Sequence, residues 1–309
     1  MQAVPYEPSL LEAWNGFNRA ARNGHFLFDR GYMDYHADRF ADASLVILDE
    51  GRMLGLIPAN RDGDTVHSHQ GLTFGGLVSE TAGIAEVMNM LDACASAWQA
   101  MGARELVYKA LPWIYQRRPA QEDIYWLFRR DAALIRRDVT SSIDVQAPGR
   151  RSSRRERGAR KAEKAGLAFG RSGRWPEFWD LLGEVLAARH GAEPVHALAE
   201  IERLAAVFPD DISLHTAERD GEILAGVVMY ASAQVAHAQY IAVGDAGREL
   251  GALDGLFLHL IETHRDARYF DFGVSNTNQG RELNEGLVRQ KEEFGASAVA
   301  HDFYQVALF

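Results

Sequence analysis

The 309-residue sequence holds a single cysteine, Cys94. One thiol excludes an intramolecular disulfide and a cysteine-built zinc site. Cys94 lies in the helical pattern 87–101, so a buried structural thiol is expected there. No apolar run approaches the ~18 residues of a membrane span, and none is expected to cross a bilayer. The first residues, MQAVPYEPSLLEAW, carry neither a basic stretch nor a continuous apolar core. A secretory leader is therefore not expected, and a cytoplasmic location is. Metal-ligand clusters are missing as well. His67 and His69 alternate to one face of a strand, as two ligands could, but no third accompanies them, and no metal is expected. No oligomeric state follows from the sequence.

What is present is ordinary in amount and uneven in placement. Apolar residues make up 47% and charged residues 25%, the proportions of a globular protein. The net charge is −10, yet residues 150–164, RRSSRRERGARKAEK, carry eight cations and two acids, leaving −16 for the rest. Such a dense basic segment in an acidic chain points either to a solvated linker helix or to contact with the phosphates of a carrier: nucleotide, coenzyme A, tRNA or lipid diphosphate.

The basic segment also divides the chain into halves that read alike. Each begins with an amphipathic helix (10–22 and 175–188) and continues with a hairpin (44–48 with 53–58, and 213–217 with 223–230). Each then shows a strand (65–73 and 235–243), a helix (83–101 and 250–264) and another strand (105–110 and 269–273). HSHQGLTFGG aligns with AHAQYIAVGD, which sets His69 beside Ala238 and Gln70 beside Gln239. A duplicated unit of this size is a mixed α/β layer structure rather than a short solenoid repeat. The expected organisation is residues 1–147, a basic linker 148–173, and residues 174–309.

The richest stretch is 269–304, YFDFGVSNTNQGRELNEGLVRQKEEFGASAVAHDFY. A strand alternating aromatic and acidic residues leads into a turn crowded with amides, then Asn284–Glu285–Gly286, Gln290–Lys291 and Phe294–Gly295. Polar loops on a rigid scaffold are where function tends to sit. This stretch resembles the C-terminal signature of the Fem-like branch of the GNAT acyltransferase superfamily. Residues 24–30 (GHFLFDR), 35–40 (YHADRF), 67–76 (HSHQGLTFGG) and the Tyr108–Lys109 segment through Tyr125 resemble other signatures of the same group. The resemblance spans nearly the whole chain and implies two GNAT-like domains in tandem.

It also implies site residues. Lys291, in the family's F/Q-K-x-x-F-G run, would stabilise charge on a carbonyl oxygen or contact the acyl carrier; Gln290 stands where many relatives have Phe. Asp271 and Glu285 are base candidates, since aromatic neighbours raise the pKa of Asp271 toward usefulness. Tyr304 and Tyr240 are acid candidates for a departing thiolate. The superfamily's phosphate-binding pattern R/Q-x-x-G-x-G/A is met in part by Arg248 and Gly251, with Leu253 at its last position. Orphan amides and the helix dipole would make this turn an anion site. Val243, Arg248, Gly251, Ala252 and Asn278 are therefore expected carrier contacts. Loop 75–83 of the first half has an acid and no Arg, so chemistry is expected in the second half. Tyr35, His36, Arg39, His69, Tyr240, Ser275 and Asn276 are expected on the acceptor side.

Three functions are open at this point. One is an N-acyltransferase carrying an acyl group from acetyl-CoA or another acyl-CoA to an amine of an amino sugar or glycan precursor. Another is a Fem-type transferase using aminoacyl-tRNA, which the basic segment favours. The third is a non-catalytic binding protein on a degenerate fold, suggested by Leu253.

Overall fold

The computed structural model describes residues 1–80 and 83–308. Thr81 and Ala82, in the loop expected to lack a carrier cradle, lie outside the described residues. In chain order the first main elements are β1 (Gln2–Pro5), α1 (Leu11–Ala20), β2 (Leu45–Asp49), β3 (Arg52–Ile57), β4 (Thr65–His67), α2 (Ile84–Ala100), β5 (Glu105–Lys109) and α3 (Glu122–Arg129). Next come β6 (Ala133–Asp144), α4 (Ser153–Lys164), β7 (Ala168–Ser172), α5 (Trp175–His190), α6 (Leu198–Val207), β8 (Ile212–Arg219) and β9 (Glu222–Ala231). The last are β10 (Val235–Val243), α7 (Asp245–Leu250), α8 (Ala252–Thr263), β11 (Tyr269–Val274), α9 (Glu285–Glu292) and β12 (Ser297–Ala307). The fold is mixed α/β, as the alternation of periods implied. Among the described residues no helix is long and apolar enough to cross a membrane.

The chain builds two compact units and passes between them more than once. One comprises Met1–Asp138, Asn276–Glu282 and Ala300–Phe309; the other comprises Val139–Ser275 and Leu283–Val299. The change of unit falls inside β6 rather than at residue 147, and residues 148–173 are not a linker. Helix α4 and strand β7 are part of the second unit. The reason is a stripe: Arg155, Ala159 and Ala162 are buried on one face of α4 while its other cations are exposed.

In the first unit β1, β2 and β3 form an antiparallel set, and β5 pairs with β4 in parallel and with Phe303–Ala307 of β12 antiparallel. Helix α2 buries Val87, Met90, Leu91, Cys94 and Trp98, at helical spacing, against Leu45, Ile57, Leu106 and Val306. Burial pushes the Cys94 thiol well up from its ordinary pKa, which suits a packing residue.

In the second unit the strand order is β7–β8–β9–β10–β11–β6, with β10 and β11 parallel and the other pairs antiparallel. Alternation along β10 and β11 sorts the two faces. Ala236, Ala238, Phe270 and Phe272 join the core with Phe257 of α8 and Phe294. Phe257 and Phe294 meet with ring centres 5.4 Å apart, edge to face. The residues between them, His237 and Asp271, point to the opposite face.

The duplication is visible in two parallel βαβ segments, β4–α2–β5 and β10–α8–β11. Each has a three-rung parallel ladder: Thr65, Val66 and His67 against Glu105, Leu106 and Val107, and Val235, Ala236 and His237 against Tyr269, Phe270 and Asp271. His67 therefore corresponds to His237, one residue away from the alignment expected from sequence. Strand β4 stops at His67 because His69 takes a left-handed φ of 69°. His67 and His69 accordingly do not share a strand face.

Candidate active site

The parallel ladder of the second unit ends at His237 and Asp271. Beyond that rung β10 runs on to Val243, while the pairing of β11 with β6 jumps between Asp271 and Val274. Gly273 sits in this bulge with φ 76°, a conformation only glycine adopts readily. The two strands part at this point.

Asp271 is fully buried at the vertex. Its Oδ2 lies 2.6 Å from His237 Nδ1, and Thr140 and Ser142 each donate a hydroxyl to Oδ1 at 2.5 Å. Burial alone would push its pKa up. The hydrogen bond and charge of His237, together with the two hydroxyls, outweigh that and hold the carboxyl below the usual carboxylate range. A carboxylate so saturated is a poor proton acceptor, so the sequence expectation of Asp271 as a base gives way to a positioning one. His237 keeps 14% of its side chain exposed, and its Nε2 is 3.1 Å from Gln239 Oε1.

Lys291 lies beside this bulge. Asn284 caps α9 by accepting from the Leu287 N–H at 3.0 Å, and the helix carries Lys291 inward until it is only 4% exposed. Its Nζ donates to Gly273 O (2.7 Å), Val274 O (2.9 Å) and Ser275 Oγ (2.7 Å). All three ammonium protons are engaged. Burial brings the pKa down to about 8, opposed by the charge of Asp271. Ser275 is buried in the same contact and donates its N–H to Val139 O at 3.0 Å. Glu285 is exposed in the first turn of α9, where a carboxylate complements the helix dipole rather than the buried cluster.

Tyr240 faces the same side as His237, beyond a bulge at Gln239. It is buried, its hydroxyl is 2.5 Å from His196 Nδ1, and its ring meets Trp179 edge-on at 5.2 Å.

Several expected residues belong to the first unit instead. Asn276 donates to Asp138 Oδ1 at 2.8 Å and Asn278 to Glu282 Oε1 at 3.0 Å. Tyr304 donates to Asp302 Oδ2 at 3.1 Å, and burial raises its pKa. Tyr35 lies against His36, whose ring stacks on His69 at 5.1 Å; Arg39 is exposed, 5.9 Å from the Tyr35 ring centre. Burial lowers the pKa of His36 and takes that of His69 down to about 3.

The expected phosphate cradle is covered. Arg248 pairs with Asp245 and donates to Val243 O at 2.7 Å. Gly251, at φ 74°, separates α7 from α8, and Ala252 is fully buried. Helix α4 crosses directly over this point. A Cβ on Gly251 would lie 2.4 Å from Gly158 O, and one on Gly158 would lie 1.9 Å from Asp254 Oδ2. Arg155 bridges Asp254 Oδ1 (2.5 Å) and Glu293 Oε2 (2.8 Å). Gly251 is thus required by the helix crossing, and the first turn of α8 is not an open anion site. The other seven cations of residues 150–164 remain exposed. Among the described residues no group of three His, Cys, Asp or Glu could hold a metal.

Sequence reasoning missed His237, Thr140 and Ser142. The only available signal was parity: His237 and Asp271 each interrupt an apolar alternation, but nothing local links residues 34 apart.

Comparisons with known proteins agree with the fold. Residues 149–279, which include α4 to β11, match the family model of the acetyltransferase (GNAT) domain. The solved structure of FemX is similar with a TM-score of 0.70 at 12% identity, over 98% of this chain and 97% of that one. The C-terminal domain of a putative lysylphosphatidylglycerol synthetase from Agrobacterium fabrum gives 0.61 at 14% identity, over 97% and 92%. A tandem GNAT protein from the clavulanic acid biosynthesis pathway gives 0.50 at 13% identity, over 100% and 98%. At these identities the likeness carries the fold, two GNAT-like units in tandem. No match was found among curated proteins.

Proposed function

We propose that this chain, an acyltransferase of the tandem GNAT fold, moves an acyl group from acetyl-CoA or another acyl-CoA to the amine of an amino sugar or related glycan precursor. The observation that carries this reading is the parting of β10 and β11 inside the span matched by the acetyltransferase domain. Parallel strands that separate leave backbone N–H and C=O groups without ladder partners. An extended chain bearing amides can complete them, as an added strand would. The pantetheine arm of an acyl-CoA is such a chain. Its thioester would then lie near the vertex, beside His237 and the bulge pinned by Lys291.

The amine attacks the thioester carbonyl directly, through a tetrahedral intermediate, without a covalent enzyme species. In this proposal Lys291 fixes the bulge and stabilises the oxyanion by exchanging Ser275 Oγ for it. An oxyanion donor of this kind contributes roughly 3 kcal/mol. With the first turn of α8 covered, the carrier phosphates fall to Arg248 and the exposed cations of α4.

The exposed cations of α4 also favour a second reading, in which the donor is an aminoacyl-tRNA. Calorimetric titration of the protein with acetyl-CoA, free CoA and tRNA, at low and moderate salt, separates the two. Binding of CoA that survives salt supports the acyl-CoA donor. No CoA binding, with salt-sensitive tRNA binding, would replace it by aminoacyl transfer.

A further inference from the structure

We infer that His237 takes the proton from the acceptor amine, and that Asp271 is its positioning partner. This rests on the acyl-transfer reading above. The geometry determines which ring nitrogen works. Thr140 and Ser142 fill Oδ1 of Asp271, leaving Oδ2 for His237 Nδ1–H. With Nδ1–H committed to the carboxylate, the lone pair of the neutral ring stands on Nε2. Asp271 sits on the last rung of the parallel ladder, so it is fixed by two strands at once: β10 on one side and, through Ser142, β6 on the other. His237 is the only member of this group that reaches solvent; Asp271, Thr140 and Ser142 are all buried.

Gln239 accommodates both protonation states. Oε1 facing Nε2, as here, suits the protonated ring, whose Nε2–H it accepts; a half-turn of the carboxamide offers N–H to the neutral ring. An arriving amine displaces this contact without disturbing the dyad. The corresponding rung of the first unit holds His67 opposite Val107, so it carries the imidazole but no carboxylate to orient it. The dyad therefore belongs to the rung of the second unit, the unit that holds most of the domain match and Lys291.

The step balances as follows. The amine nitrogen forms a bond to the thioester carbon while its proton passes to His237 Nε2. The C–S bond then breaks, the electron pair leaves with sulfur, and the thiolate takes the proton back from the imidazolium. The products are an amide, a free thiol and a neutral His237. Asp271 stays ionised throughout and steadies the imidazolium. The titratable groups around His237 are Asp271, Tyr230 directly opposite on β9 and Tyr240 further along β10, with Lys291 acting through Asp271. Asp271, Tyr230 and Tyr240 differ from an imidazole in ordinary pKa by more than two units. Lys291, brought down to about 8, lies nearer, so the imidazole limb is identified by its loss in His237→Gln.

Two measurements test this. The first is imidazole nitrogen NMR on the uniformly labelled protein, with His237→Gln to identify the resonance. The expected neutral ring is protonated at Nδ1 and titrates at Nε2, and Asp271→Asn moves its titration to lower pH. A neutral ring protonated at Nε2 would overturn the inference, as would a titration indifferent to Asp271→Asn. The second is acetyl-CoA turnover, with glucosamine and a panel of simple amines, as a function of pH. His237→Gln should lower kcat about 100-fold or more and abolish the acidic limb, while its melting curve and acetyl-CoA affinity stay near wild type. An unchanged acidic limb in His237→Gln sinks the inference and leaves the acyl-transfer reading intact. No transfer by wild type to any amine counts against that reading, and the NMR result still decides the dyad.

Discussion

Lys291 is a buried cation whose donors all hold the protein's own oxygens. Removing it by Lys291→Ala takes the ammonium donor from the buried Ser275 hydroxyl and from two part-buried carbonyls, Gly273 O and Val274 O. At roughly 1–3 kcal/mol for a buried group left unsatisfied, and less for the part-buried carbonyls, the variant should lose about 1–3 kcal/mol in urea denaturation. A variant as stable as wild type would show that the bulge does not need its clamp. The sequence motif identified Lys291, but its acceptors are backbone atoms and cannot be read from a pattern. His69 makes a second case at this scale. Burial lowers its pKa from 6.5 to about 3, so the fold favours the neutral ring. Below pH 6.5 the unfolded chain binds the proton and the folded chain does not. The stability contributed by neutral His69 is complete above pH 6.5 and is lost progressively as pH falls toward 3. Melting temperature measured from pH 8 to 4 should therefore drop, and should drop less in His69→Asn, a residue that tolerates the left-handed backbone at this position. Equal acid sensitivity in the two proteins would refute the assignment.

At the scale of elements, α4 shows what charge conceals. Eight cations in fifteen residues look like a solvated helix, and seven of them are. The eighth, Arg155, faces inward with Ala159 and Ala162, and Gly158 lets the helix cross at Gly251. Two alanines at i and i+3 form too weak an apolar stripe to stand out among arginines. The strands of the duplicated halves were legible because hairpin turns and alternation are local; the early end of β4 was not, since it depends on the positive φ of His69. The crossing yields a paired prediction. Gly158→Ala should destabilise the protein by about 1–3 kcal/mol, because the added methyl meets the Asp254 carboxylate, which Arg155 holds in place. Gly183→Ala, in the interior of α5 with open space at its Cβ, should stabilise by up to ~1 kcal/mol. Thermal denaturation of both variants checks the pair, and a harmless Gly158→Ala would mean that α4 does not pack as closely as described.

At the scale of the whole chain, the duplication was legible but its boundaries were not. Composition changes at Pro148 and Gly149, and a linear reading divides the chain there. The divisions instead depend on which strand pairs with which, and pairing between residues some 200 apart leaves no local trace. Phe303–Ala307 pairs with Glu105–Lys109, and Val306 and Leu308 complete the core around α2. Val139–Asp144, by contrast, joins β11 through Ser142 and Ile143. Two fragments put this to the test. A chain of residues 1–147 retains α1, α2 and α3 but loses one of the two partners of β5 and two core side chains. It should be aggregated or loosely packed, because an apolar strand edge is left open. A chain of residues 139–299 contains both segments of the second unit and should melt cooperatively, with the hydroxyls of Thr140 and Ser142 still on Asp271. Near-UV circular dichroism and size-exclusion chromatography distinguish packed from collapsed fragments. A well-packed 1–147 beside an unfolded 139–299 would restore the boundary suggested by composition and detach the vertex at His237 from the strand assumed to support it.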